Sequence, residues 1–73
     1  MEKFIKIFKS FLNNEGKYDE DDVIYEADKI EGAANFVDYI IYWRGVVDSA
    51  VIEKAGEKCP ELLKVVKELG IKY

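Results

Sequence analysis

The sequence predicts an all-α fold, a small bundle of three to four helices around one broadly apolar central helix. Three observations support this prediction. Apolar residues recur at intervals of three and four positions along most of the chain. No segment shows the strict apolar–polar alternation of a half-buried strand. Glycine, proline and acidic clusters fall where helices commonly begin or end.

The length of the chain, 73 residues, predicts a single domain spanning residues 1–73. A domain of this size buries only about 60% of the surface that its unfolded chain exposes, so its stability is marginal. Small domains often gain stability from association, and we therefore expect a homo-oligomer, most simply a homodimer.

The first predicted helix covers residues 1–13, where apolar residues lie on one face and Lys3, Lys6 and Lys9 on the other. A basic amphipathic helix of this kind can lie on a membrane surface. We instead expect the apolar face to cover the central helix, because a small domain has few other segments that could do so. Asn13, Asn14 and Gly16 then favour a helix end.

The second predicted helix runs from Glu20 to Glu31. Four consecutive acids, residues 19–22, precede its apolar positions. Acidic side chains at this place cap free backbone N–H groups and favour the positive end of the helix dipole. The buried positions of this helix are predicted to be Val23, Ala27 and Ile30.

The central segment, Gly32 to Ala55, is the most apolar part of the chain and contains the single tryptophan. Two helical seams run along it, and together they cover an arc on the order of 220°. We therefore expect residues 33–51 to form one helix that is covered on several sides by neighbours or by a second copy. The residues predicted to mediate self-association are Phe36, Ile40, Trp43 and Val47.

Alternatives remain for this segment. One unbroken helix over residues 20–55 would be roughly 54 Å long, whereas a compact domain of this size has a radius of gyration near 11 Å. We therefore place a break at Gly32, with Gly45 as the alternative.

Strand structure at residues 46–47 and 51–52 is the competing assignment, because β-branched residues suit sheets. Arg44 and Asp48 are expected to pair across one helical turn.

The last helix is predicted over Pro60 to Leu69. Ala55 and Gly56 precede it as a helix end, and proline is favoured at the first helical position. Gly70 followed by Ile71 is typical of a Schellman ending, in which the apolar residue folds back on the last turn.

The composition argues against catalysis. The chain has no histidine and a single cysteine, Cys59, which excludes His-based acid–base pairs and the common zinc motifs. Its five glycines are scattered and form no phosphate-binding loop. We expect no enzymatic activity, no cofactor and no metal. The lone cysteine, the lack of a signal peptide and the lack of a long apolar span predict a cytoplasmic protein.

Charge is unevenly distributed along the chain, whose net charge is −4. Residues 15–53 hold eleven acids against Lys17, Lys29 and Arg44, which gives −8, and the two ends are each mildly basic. Nucleic-acid binding needs clustered cations, so it is disfavoured. The alternative function is a dimeric DNA-binding transcriptional regulator that uses the C-terminal helix, with the cations Lys58, Lys64 and Lys67.

The acidic residues between positions 19 and 31 form a predicted negative ridge beside an aromatic patch. Such a ridge attracts a basic surface, and tyrosine is common at interface hot spots. The residues predicted to bind a partner are Asp19, Glu20, Asp21, Asp22, Asp28, Glu31, Tyr39 and Tyr42. A pocket lined by Tyr39, Tyr42 and Trp43 is the alternative use of the aromatic residues.

The function that these patterns favour is protein–protein interaction, as an inhibitor or regulator that binds the basic, nucleic-acid-handling surface of a partner. In size and charge the chain resembles small acidic phage-encoded inhibitors that occupy a nucleic-acid groove of a host protein. The resemblance is of general type and involves no shared motif.

Overall fold

A computed structural model describes all 73 residues and contains five α-helices and no strand. The helices are α1 (Glu2–Leu12), α2 (Glu20–Ala27), α3 (Ala33–Tyr42), α4 (Ser49–Gly56) and α5 (Pro60–Glu68). The all-α prediction is confirmed. The predicted number of three to four helices is wrong, because the stretch from Gly32 to Ala55 forms two helices instead of one.

The turn between α3 and α4 corrects the prediction of one helix over residues 33–51. The carbonyl oxygen of Trp43 accepts the N–H groups of both Val46 and Val47, each at 3.0 Å. Gly45 has a φ of +76°, a left-handed conformation that residues with a side chain rarely adopt. The chain therefore turns at Gly45, which the sequence offered only as the alternative break.

A second left-handed glycine, Gly32, separates α2 from α3, as predicted, with a φ of +81°. α2 ends at Ala27, four residues before its predicted end at Glu31. The turn at Gly32 also approaches the turn between α4 and α5, since a Cβ at Gly32 would stand 3.1 Å from the carbonyl oxygen of Lys58. Both the backbone angle and the close approach require glycine here.

The predicted capping signals are confirmed. Asp19 and Asp22 form a reciprocal capping box at the start of α2, in which each carboxylate accepts the other residue's backbone N–H at 3.1 Å. Pro60 occupies the first turn of α5. At the end of α5, the N–H of Ile71 donates to the carbonyl of Val66 at 3.2 Å, which is the Schellman pattern.

All five helices contribute to one core. Each helix packs against the next in the chain, and α5 returns to α1, so the helices close a ring. The buried apolar residues are Phe4, Ile7, Phe8, Val23, Ala27, Ala33, Phe36, Val37, Ile40, Ile52, Cys59, Leu62, Val65 and Val66. The radius of gyration of the Cα atoms is 11.0 Å.

The two most apolar predicted helices bury only one stripe each. α1 places Phe4 and Phe8 in the core with their rings stacked 5.7 Å apart. α3 buries Ala33, Phe36, Val37 and Ile40 but exposes Ala34 and Asp38. The broad apolar arc of the central segment is therefore divided between the core and the surface. None of the helices combines the length and apolar character needed to cross a membrane.

A first prediction concerns Gly56, the last residue of α4. A Cβ at this position would stand 2.9 Å from Leu63 Cδ1 and 3.0 Å from Phe36 Cε1. Overpacking a core costs about 1–3 kcal/mol, and replacing a helical glycine with alanine gains about 1 kcal/mol. We expect Gly56→Ala to lower the free energy of unfolding by up to about 2 kcal/mol in urea titrations. A more stable variant would show that helix propensity outweighs this contact.

Candidate functional site

The candidate site lies where α2 and α3 pack side by side in antiparallel orientation. Glu20, in the first turn of α2, interacts with Tyr42, the last residue of α3. At the other end, Asp28 directly follows α2 and lines a groove with Ala34 near the start of α3. Residues about twenty positions apart in the chain therefore share one surface.

A shallow groove runs between these two helices. Its apolar lining comes from Ile24, Ala27, Ala34 and Val37. Its polar lining comes from Asp28, Asn35 and Asp38. We name this surface the α2–α3 face, and its charged and aromatic members are Glu20, Asp21, Asp28, Asp38 and Tyr42.

Tyr42 lies close to the negative charges of the α2–α3 face, which change its pKa. Its pKa is raised above the ordinary tyrosine value of 10.0, chiefly because the nearby Glu20 carboxylate favours the neutral phenol. Desolvation and the negative charges of Glu20, Asp21 and Asp38 contribute further. The Tyr42 side chain is nevertheless 46% exposed. It therefore stands among three carboxylates and is accessible to a partner.

The four acids of the α2–α3 face are not neutralised by the chain itself. All four are exposed, and none lies within 4.0 Å of a lysine or arginine nitrogen. The five ion pairs of the molecule lie elsewhere and are Lys3–Glu26, Lys17–Glu15, Lys29–Glu26, Lys64–Glu68 and Lys67–Glu53. The α2–α3 face therefore carries four uncompensated negative charges.

The opposite flank of α2 differs in this respect. Glu26 is paired with Lys29 at 3.3 Å and with Lys3 of α1 at 3.8 Å. Lys29 also lies over the ring of Tyr25, 4.2 Å from its centroid. Glu26 is therefore paired with lysines, whereas Glu20 and Asp21 on the α2–α3 face are not.

The predicted partner-binding residues do not all lie on one surface in the structure. Asp19 and Asp22 are exposed at the start of α2, and their carboxylates also cap its backbone. Glu31 is exposed in the turn before α3 and does not line the groove. Tyr39 lies on the other flank of α3, where it lines a second groove with Val51 of α4.

Asp38 was missed among the predicted site residues. The signal was available, because Asp38 and Tyr42 are four residues apart and therefore share one flank of a helix. Tyr39 and Tyr42 are three residues apart and are still helix neighbours, so spacing alone did not separate them. The contacts of α3 with α2 and α4 decide which residue faces which groove.

The residues predicted for self-association also differ in their exposure to solvent. Phe36 and Ile40 have no exposed surface in the single chain, because they fill its core. Trp43 is 43% exposed, and Val47 is half-buried against the core. The helix ends at Tyr42, so the seam that joins these residues in the sequence is interrupted before Val47.

Cys59 and the lysines of α5 lie outside the α2–α3 face. Burial raises the pKa of the Cys59 thiol to about 11, so Cys59 is a neutral thiol at pH 7. No group of three or more His, Cys, Asp or Glu side chains is placed to hold a metal ion. On α5, Lys64 pairs with Glu68 at 4.0 Å, and Lys67 pairs with Glu53 at 2.9 Å. Two of the three lysines considered for DNA binding are thus partly neutralised, whereas Lys58 is exposed and forms no ion pair.

No protein-family model matches the chain, and no curated protein or solved structure is significantly similar to it. Function is therefore inferred from the residues of the α2–α3 face. The face combines uncompensated charge, an accessible aromatic ring and a groove with apolar lining.

A second prediction tests the position of Tyr42. Because negative charge beside a phenol disfavours the phenolate, Glu20→Gln should lower the pKa of Tyr42 toward its ordinary value. The Tyr42 ring can be followed by NMR during an alkaline titration, with Tyr42→Phe to assign its signal. Glu57→Gln, on the turn after α4, is the control and should leave this pKa unchanged. Equal titration of Tyr42 in all proteins would contradict the proximity of Glu20.

The same interaction gives a dependence of stability on pH. The neutral phenol is favoured in the folded chain, so unfolded Tyr42 ionises at a lower pH than folded Tyr42. This contribution opposes folding once the pH exceeds the ordinary tyrosine value of 10.0. It should be smaller in Glu20→Gln, as judged by urea titrations at neutral and alkaline pH.

Proposed function

We propose that this protein is a non-enzymatic interaction protein, an inhibitor or regulator, that binds a basic surface of another protein through its α2–α3 face. One observation carries this proposal. Four exposed carboxylates surround Tyr42 and the groove without any cation from the chain itself.

Uncompensated charge of this kind favours binding in two ways. A cluster of one sign steers a partner of opposite charge and raises the association rate. The carboxylates also need not break an internal ion pair before they meet a lysine or arginine of the partner. An exposed tyrosine, Tyr42, at one end of the face supplies contact area with little loss of side-chain entropy.

The groove suits long cationic side chains. Lysine and arginine bury their aliphatic stems on apolar surface while their charged ends remain in polar surroundings. Here the apolar lining at Ile24, Ala34 and Val37 would contact the stem, and Asp28 and Asp38 would meet the charged end. A partner rich in exposed lysine and arginine therefore fits better than an apolar one.

Basic surfaces of this kind are typical of proteins that handle nucleic acid, because they neutralise phosphates with clustered lysine and arginine. We therefore propose a nucleic-acid-binding surface as the target. Occupation of that surface by the α2–α3 face would compete with nucleic acid, which is how the protein would inhibit or regulate its partner.

A third prediction tests whether the position of the acids, and not the net charge, determines binding. The site variant is Glu20→Gln, Asp21→Asn and Asp28→Asn, which leaves the Asp19–Asp22 capping box intact. The control variant is Glu2→Gln, Glu57→Gln and Glu61→Gln, which removes three exposed acids that form no ion pair. Both variants change the net charge by the same amount.

Binding of an oligolysine peptide can be measured by calorimetry at several salt concentrations. Exposed charge pairs contribute about 0.5 kcal/mol each, so the loss of three carboxylates should weaken binding by the site variant about tenfold and make it less dependent on salt. The control variant should stay close to the original protein. Equal weakening in both variants would mean that only net charge matters and would remove the α2–α3 face from the proposal.

A further inference from the structure

A second surface lies at the corner between α3 and α4 and is not part of the α2–α3 face. Trp43 is 43% exposed, Val46 is 72% exposed, and Val51 on α4 is 45% exposed. Trp43 and Val46 lie in the turn itself, Val51 lies in the first turn of α4, and Tyr39, one helical turn before Trp43, lines a groove with Val51. Large apolar side chains grouped in this way commonly mark an interaction surface.

The turn at this corner is fixed and projects from the body of the protein. Two backbone hydrogen bonds of 3.0 Å to the carbonyl of Trp43 hold it closed. No atom lies within 4 Å of the place where a Cβ of Gly45 would stand, so the tip is open to a partner. A preorganised turn loses little conformational entropy on binding.

Two residues of opposite charge, Arg44 and Asp48, flank Val46 in the sequence. Arg44 precedes it by two residues and Asp48 follows it by two residues, and both are exposed. The two do not form the helical pair that the sequence suggested, since neither lies within 4.0 Å of an opposite charge. Asp48 Oδ1 accepts the N–H of Ala50 at the start of α4, so the carboxylate is held in place.

We propose that this corner binds a second copy of the chain about a two-fold axis that passes near Val46. In a two-fold interface, the same patch is used by both copies, and a residue on one side meets the residue on the other side of the axis. Arg44 of each copy then meets Asp48 of the other, while Trp43, Val46 and Val51 form the apolar centre. The patch is complementary to itself in both charge and polarity.

The size of the corner sets the expected affinity. A standard stable interface buries about 800 Å² on each partner, which is a large share of the 4823 Å² that this chain exposes. A corner of a few residues is smaller, so the dimer should be weak, with a dissociation constant in the micromolar range. Trp43 and Arg44 belong to the residue types that dominate interface energetics.

The dimer differs from the proposed function in the residues that it uses. The α2–α3 face consists of four acids on and next to α2 and α3 together with Tyr42, whereas the corner uses Trp43, the turn at Gly45 and the start of α4. Each surface can therefore be changed without altering the other. Loss of oligolysine binding in the site variant and loss of dimerisation in corner variants are separate measurements.

The test is a concentration series from 1 µM to 1 mM, followed by sedimentation and by the fluorescence of Trp43. Arg44→Glu places two like charges together across the axis and should raise the dissociation constant at least tenfold. Asp48→Lys should do the same. A mixture of the two variants places opposite charges together again at both contacts, and it should form a heterodimer with an affinity within about threefold of the original.

Two further variants separate loss of the interface from loss of the fold. Val46→Ser removes the apolar centre at an exposed turn and should also raise the dissociation constant at least tenfold. Tyr25→Ser removes an apolar residue that is 65% exposed on α2 and should leave it unchanged. Circular dichroism verifies that each variant keeps its helices.

The result that supports the proposal is a concentration-dependent dimer that both charge variants weaken and their mixture restores. A protein that remains monomeric at 1 mM would overturn it. A dimer that is unaffected by Arg44→Glu and Val46→Ser would also overturn it, because the contact would then lie on another surface.

Discussion

The structure depends on two left-handed glycines, Gly32 and Gly45, that divide an otherwise continuous apolar stretch. Between them, α3 spans only ten residues and presents one buried stripe, which includes Phe36 and Ile40, to the core. Because α3 is short, α2 can pack against one flank of it and α4 against the other, and the five helices can close a ring. A longer α3 would extend past its neighbours and expose the same residues.

The sequence predicts elements best where a pattern and a cap agree. The start of α2 and the whole of α5 combine helical periodicity with a capping acid, a proline or a terminal glycine, and α1 combines it with Asn13 and Asn14 at its end. The break at Gly45 was underestimated because Trp43 and Val47 continue the spacing of the α3 seam. Periodicity records which residues are apolar, and it does not distinguish a helix from a helix followed by a compact turn.

The sequence predicts the negative charge of the candidate site but not the positions of its residues relative to one another. The acids at the start of α2 are evident from the sequence, since acidic residues there cap and stabilise the helix. Which of them stay uncompensated depends on contacts between helices, such as the pairing of Lys3 on α1 with Glu26 on α2. The same contacts place Tyr42 with the acids of α2 and Tyr39 with α4, so one short helix serves two different surfaces.

The division of the apolar stretch at Gly45 is the claim on which the separate helix α4 and the exposed corner depend, and backbone NMR chemical shifts test it directly. The account predicts helical ¹³Cα shifts for residues 33–42 and 49–56, non-helical shifts for residues 43–48, and a left-handed Gly45. Helical shifts that continue without interruption from residue 33 to residue 51 would contradict the break at Gly45 and the exposed corner described above.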